Sequence, residues 1–177
     1  MAVEITTVTA LGGARSTQIW GPLRGKGYSL NLLNFIGDLK ANQVVDFNAA
    51  LKNYAAQGSR PGLCMIVSDL MSIQGYQDGL SVLQSRGHEI ALIHLLSPRG
   101  QPPLTGDLQL IDVETGLPQD VSIDNAMREQ YVNRLLAWRD EIGSFCTRRG
   151  IHYVTVETGT AWEELILFEL RRLGVVQ

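Results

Sequence analysis

The chain has 177 residues, 45% of them hydrophobic and 19% charged, enough for one domain with a sizeable core. Its formal charge of −3 leaves no basic face for a nucleic acid or an anionic membrane, and no stretch approaches the roughly 20 apolar residues of a membrane span. The two cysteines, Cys64 and Cys146, fall in apolar surroundings without a Cys-x-x-Cys pattern; with no targeting pattern at the N-terminus they predict buried thiols in a cytoplasmic protein.

In chain order, Val3–Thr9 alternates apolar and polar positions and reads as a strand. Gly12-Gly13 turns it into a second short strand, Ser16–Trp20, a hairpin pattern followed by loop punctuation at Gly21-Pro22 and Gly25-Lys26-Gly27. Ser29 is placed to cap a helix to Lys40, with Leu32, Leu33, Phe35, Ile36 and Leu39 as its apolar stripe. Asp46 is an N-cap for a helix to Gln57, before Gly58. Leu63–Val67 is an unbroken apolar run, which predicts a central strand covered on both faces, ending in Ser68-Asp69.

Gln74–Arg86 reads as a helix stopped by Gly87, and Glu89–Leu96 as the next buried strand. Pro98–Pro103 is a loop. Asp107–Val113 and Gln119–Ile123, joined through Glu114-Thr115-Gly116, predict a hairpin. Asp124 caps a long helix to Arg149, with Met127, Tyr131, Leu135, Trp138, Ile142 and Phe145 on one face and Gly150 at its end. A last strand, Ile151–Val156, precedes the capping box Thr160-Ala-Trp-Glu163 and a final helix to Leu173, with Gly174 beyond it. The pairs Arg148-Arg149 and Arg171-Arg172 fall at helix C-terminal ends, where cations suit the dipole. Helices alternating with buried strands predict an α/β fold with a mostly parallel sheet and helices on both faces, over one domain, residues 1–177.

Chemistry-bearing motifs are sparse. Gly21-Pro-Leu-Arg-Gly25-Lys26-Gly27 has one residue too few for a Walker loop and a Gly where Ser or Thr belongs, and no Gly-x-Gly-x-x-Gly follows a strand. There is no Gly-x-Ser-x-Gly elbow. His88 follows a helix-ending Gly and reads as a surface residue, His94 as a satisfied core residue inside an apolar strand, and His152 as the start of a strand. The informative position is Asp69, just past the C-terminal end of a buried strand, where open parallel sheets bind ligands and where a carboxylate suits Mg²⁺. On spacing alone the favored reading is the plainer one, an Asp that opens a strand-to-helix turn.

Several stretches together resemble a known family. They are Leu63-Cys-Met-Ile-Val-Ser-Asp69-Leu-Met, Gly75-Tyr-Gln-Asp-Gly-Leu80 and Arg86-Gly-His-Glu-Ile90, with Pro22-Leu-Arg-Gly25, Gly106-Asp-Leu-Gln-Leu-Ile-Asp-Val-Glu-Thr-Gly116 and Cys146-Thr-Arg-Arg-Gly-Ile-His-Tyr153. In order and spacing these resemble a von Willebrand factor A-like domain and, more narrowly, the bacterial family of unknown function number fifty-eight.

The resemblance implies a three-layer, doubly wound, Rossmann-like sheet with an inserted hairpin and a metal-ion-dependent adhesion site at its top edge. It implies a protein-interaction module, not an enzyme: an adaptor for a MoxR-type AAA+ ATPase in the assembly or activation of other proteins. Of the family's metal ligands, Asp69 matches the third-loop Asp. Val45 stands where a Thr is expected, before Asp46-Phe47, and offers no oxygen.

The family's Asp-x-Ser-x-Ser motif is absent. By that resemblance the first central strand is missing, Val3–Thr9 corresponds to the family's second strand, and Met1 marks a misplaced start or a fragment end. Another polypeptide supplying the strand, or a sheet closed over the gap, are the alternatives. Asp69 is then a vestigial ligand, no cofactor is expected, and Mg²⁺ enters only if the missing motif is supplied. A sheet edge exposed in this way invites association. The alternative function is a Mg-dependent phosphoryl-transfer or hydrolytic enzyme on a Rossmann-like sheet, using Asp69 and Asp46.

Overall fold

The structure is a computed structural model. It describes residues 5–11, 17–39, 46–58, 60–97, 106–111, 116–161, 163, 169, 171–172 and 174. Its center is a parallel sheet of β3 (Leu63–Ser68), β4 (Glu89–Leu96) and β7 (His152–Glu157), in the order β3-β4-β7. Two antiparallel hairpins accompany it, β1 (Ile5–Leu11) with β2 (Thr17–Arg24) and β5 (Gly106–Ile111) with β6 (Pro118–Ile123). The helices are α1 (Ser29–Gly37), α2 (Phe47–Ala56), α3 (Gln77–Ser85) and α4 (Asn125–Arg149).

Local chemistry explains most of these boundaries. The Asp46 carboxylate accepts from Ala49 N at 2.9 Å and the Asp124 carboxylate from Met127 N at 2.7 Å, each satisfying an amide that an α-helix leaves without a partner. Gly150 ends α4 in the left-handed conformation, φ 66°, which costs a glycine little. Ser29 opens α1 as its first residue and not as its cap; that place falls to Tyr28, after a 3₁₀ turn over Lys26–Tyr28. Gly21-Pro22 lies inside β2, which runs on to Arg24, so the expected loop is strand. The final helix expected over Thr160–Leu173, the Gly12-Gly13 turn and the Pro98–Pro103 loop fall wholly or largely outside the described residues.

The strand register sorts the sheet into two faces. Ile66 pairs with Leu92 and Leu92 with Tyr153; on that face Cys64, Ile66, Ile90 and Leu92 meet Phe47, Leu51 and Ala55 of α2, Leu80 and Leu83 of α3, and Ile142 and Cys146 of α4. Leu11, at the end of β1, packs against the same core. On the opposite face Met65 pairs with Ala91, and Val67 with Ile93, which pairs with Val154. Ala91, Ile93 and Val154 are buried, whereas Leu63, Met65 and Val67 are 48%, 44% and 57% exposed.

The expectation that Leu63–Val67 is covered on both faces is therefore corrected. An unbroken apolar run reports that both faces of a strand suit burial, but not whether each face has a neighbor. Among the described residues β3 pairs with β4 alone, and its other edge carries no strand. Similar corrections apply to two helices. No residue of α1 is fully buried; of the expected stripe Leu33 and Ile36 are exposed, while Leu32, Phe35 and Leu39 are half-buried. Along α4 the inward stripe holds for Trp138, Ile142 and Phe145, while Met127 and Tyr131, in its first turns, are exposed. Among the described residues no helix is long and apolar enough to cross a membrane.

Candidate functional site at the C-terminal edge of the sheet

The segment that leaves β3 is built by short polar side chains bonding to nearby backbone, the mechanism by which Ser and Asp favor turns. Ser68 Oγ accepts from Leu70 N at 3.1 Å, and Asp69 Oδ1 accepts from Met71 N at 3.1 Å. Between them Leu70 adopts φ 57°, an uncommon conformation for a branched side chain, which costs on the order of 1–2 kcal/mol. Burial offsets that strain, since Leu70 is only 3% exposed and belongs to the main core.

The start of α2 clasps the same segment. Phe47 N donates to Ser72 Oγ at 3.4 Å, and Asn48 Nδ2 donates to the Gln74 carbonyl at 2.7 Å. Asn48 Oδ1 in turn accepts from Gly79 N at 2.7 Å, tying the loop to α3. Asp46, the cap of α2, and Asp69 thus stand at the roots of two adjoining segments at one edge of the sheet. Both side chains are spent locally on one oxygen, Asp46 on Ala49 N and Asp69 on Met71 N. Val45 lies outside the described residues. Among the described residues no three His, Cys, Asp or Glu side chains gather as a metal shell; Asp69 and Asp46 are exposed carboxylates at this edge without a third ligand beside them.

The histidines divide differently from the sequence reading. His94 is a fully buried core residue, as expected, with Nε2 3.0 Å from the Asp69 carbonyl and Nδ1 2.8 Å from Tyr153 Oη. Burial, the largest influence, holds its pKa below the ordinary value. His88, expected at the surface, is buried at 7% exposure, with Nδ1 3.3 Å from the Gly62 carbonyl and its ring beside Tyr54. The glycine before it ends α3 and turns the chain inward toward β4, which is what places the ring under Gly62. His152 pairs with Glu89 at 3.1 Å on the neighboring strand.

Sequence reasoning missed Asn48, Ser72 and Gln74, because their bonds join segments about 25 to 31 positions apart and leave no local spacing to read. It also missed the turn at Leu70; a leucine carries no signal for a positive φ.

Residues 9–141 match the family described as "Protein of unknown function DUF58". The chain belongs to that family. An uncharacterized protein of Mycobacterium avium is 30% identical over 120 residues, 66% of this chain and 70% of that protein. Uncharacterized proteins of Mycobacterium bovis and Mycobacterium tuberculosis are 29% identical over 104 residues, 58% of this chain. The matched region spans only 32% of the length of each of those two relatives. Among solved structures, the crystal structure of conserved hypothetical protein BatB from Bacteroides thetaiotaomicron is similar at 10% identity with a TM-score of 0.48, covering 96% of this chain and 80% of that one.

Proposed function

We propose that this DUF58 chain is a protein-interaction module of the von Willebrand A-like type and not an enzyme, its residues 1–177 forming one domain of a doubly wound, three-layer sheet. In this reading it works as an adaptor with a MoxR-type AAA+ ATPase in the assembly or activation of other proteins. The family resemblance suggests the ATPase; the observation that carries an interaction role is β3. Leu63, Met65 and Val67 stay exposed on a face where Ala91, Ile93 and Val154 are buried, and the strand has no charge, proline or glycine to blunt its open edge. The Asp69 and Asp46 segments flank the C-terminal end of that same strand and form the polar rim of the contact.

The contact does not need a metal, because one carboxylate is a poor shell for an ion that demands six oxygens. The test is binding of the purified chain to a purified MoxR-type ATPase with and without EDTA. Binding that survives EDTA and weakens in Met65→Lys and Val67→Lys supports the proposal. Binding lost in EDTA and in Asp69→Ala would instead assign a metal-dependent contact, and absence of binding to the ATPase would remove that partner.

A further inference from the structure

His94 occupies a position that fixes its chemistry. The Asp69 carbonyl 3.0 Å from Nε2 can only accept, so Nε2 carries the proton. A neutral imidazole then has a lone pair at Nδ1, and the Tyr153 hydroxyl, 2.8 Å away, donates to it. Burial pushes the Tyr153 phenol up to about 12, so this donor keeps its proton at neutral pH. The ring plane is set by Trp138, whose ring meets it edge-on at 5.0 Å between centroids. Each bond of the imidazole thus has one direction only.

The acceptor in this arrangement is main chain. It belongs to the residue that leaves β3, immediately before the positive-φ turn at Leu70. Turning the Asp69 carbonyl toward the interior sends the Asp69 side chain outward, where its Oδ1 takes Met71 N and the residue is exposed.

We infer that His94 is the positioning residue of the Asp69–Gly75 segment: its Nε2–H, held in a single tautomer by Tyr153, fixes the Asp69 carbonyl inward and so sets which polar groups the segment presents at the sheet edge. The inference deepens the interaction reading, which makes this segment part of the contact, but its test needs no partner, so the two can fail separately.

The test has two arms. Nitrogen NMR of the histidines in the unmodified chain reads the tautomer of His94 directly; the protonated Nε2 form is expected at neutral pH. Native-state hydrogen exchange then compares His94→Leu with His94→Gln, whose side-chain amide places a donor near the former Nε2. Exchange at the Leu70 and Met71 amides should rise about tenfold in His94→Leu, the effect of losing one buried hydrogen bond, beyond any change at β7 amides, and should return toward the original rate in His94→Gln. A protonated Nδ1 or a charged ring in the unmodified chain overturns the inference. So does exchange that rises equally in β7 and at Leu70 and Met71. If His94→Leu fails to fold, the tautomer decides.

Discussion

Gly79 N donates to Asn48 Oδ1 at 2.7 Å where α3 crosses α2, and the crossing leaves no room for a methyl group. A Cβ at position 79 would stand 2.9 Å from Leu51 Cβ and 3.1 Å from Asn48 Oδ1. Gly79→Ala must push the helices apart, although alanine is the better helix former, and should destabilize the chain by about 1–3 kcal/mol. Asn48→Ala should cost about as much, on the order of 1–3 kcal/mol, by stranding Gly79 N and the Gln74 carbonyl. Urea unfolding of the two variants measures both; a neutral Gly79→Ala would mean that the helices are not so close.

The open strand predicts an asymmetry between adjacent residues. Met65 and Val67 are exposed and Ile66 is buried at 8%. Met65→Lys and Val67→Lys should change stability by no more than about 0.5 kcal/mol, as surface substitutions do, and should suppress concentration-dependent self-association. Ile66→Ala should cost about 2–5 kcal/mol. Thermal melts with light scattering at several concentrations separate these effects. Lysine variants that unfold the chain would show that the face is covered after all.

Acid should weaken the fold through His94. Its ordinary pKa is 6.5, and its folded value lies lower, first because of burial and also because of the Arg139 guanidinium, against which the Asp69 carbonyl and carboxylate act in the opposite sense. Between those two values the unfolded chain binds a proton that the folded chain does not. The stabilizing contribution is therefore complete above pH 6.5 and is lost as pH falls from there toward the folded value. Melting temperatures recorded across that window should drop, and His94→Gln should flatten this part of the curve. An equal drop in His94→Gln would assign the effect to other groups.

Magnesium should leave the melting temperature where it is. A ligand present at a hundred times its Kd adds about 2.7 kcal/mol to the stability of a folded protein, which calorimetry resolves easily. A Mg²⁺-dependent rise that disappears in Asp69→Ala would show that the edge holds the ion.

Where structure follows from adjacent residues, the sequence is readable in detail. Glu89–Leu96 is the strand that its apolar run suggests, Asp46 and Asp124 are the caps that their spacing suggests, and Gly150 is the stop. Readings that depend on a distant neighbor fare less well. The run Leu63–Val67 has the composition of a strand covered twice but keeps Leu63, Met65 and Val67 exposed, and the apolar stripe expected of α1 is only half-buried at Leu32, Phe35 and Leu39 and exposed at Leu33 and Ile36. His88 turns inward because Gly62 and Tyr54 receive it. For the candidate site, Asp69 was legible as an edge carboxylate, whereas the carbonyl contact that orients it comes from His94 one strand away, and nothing in the local sequence records it.

The length of α4 has a mechanical consequence. Its 25 residues span roughly 37 Å, nearly twice the roughly 20 Å of the six-residue strand β7 that it lies beside. Ile142 and Cys146 anchor the C-terminal half in the core, while in the N-terminal half Met127, Tyr131 and Leu136 are exposed and Arg128, Val132 and Leu135 are half-buried. No proline or cap interrupts the rod between them. A pull or twist applied near Met127 is therefore delivered by a continuous hydrogen-bonded lever to the residues beneath the central sheet.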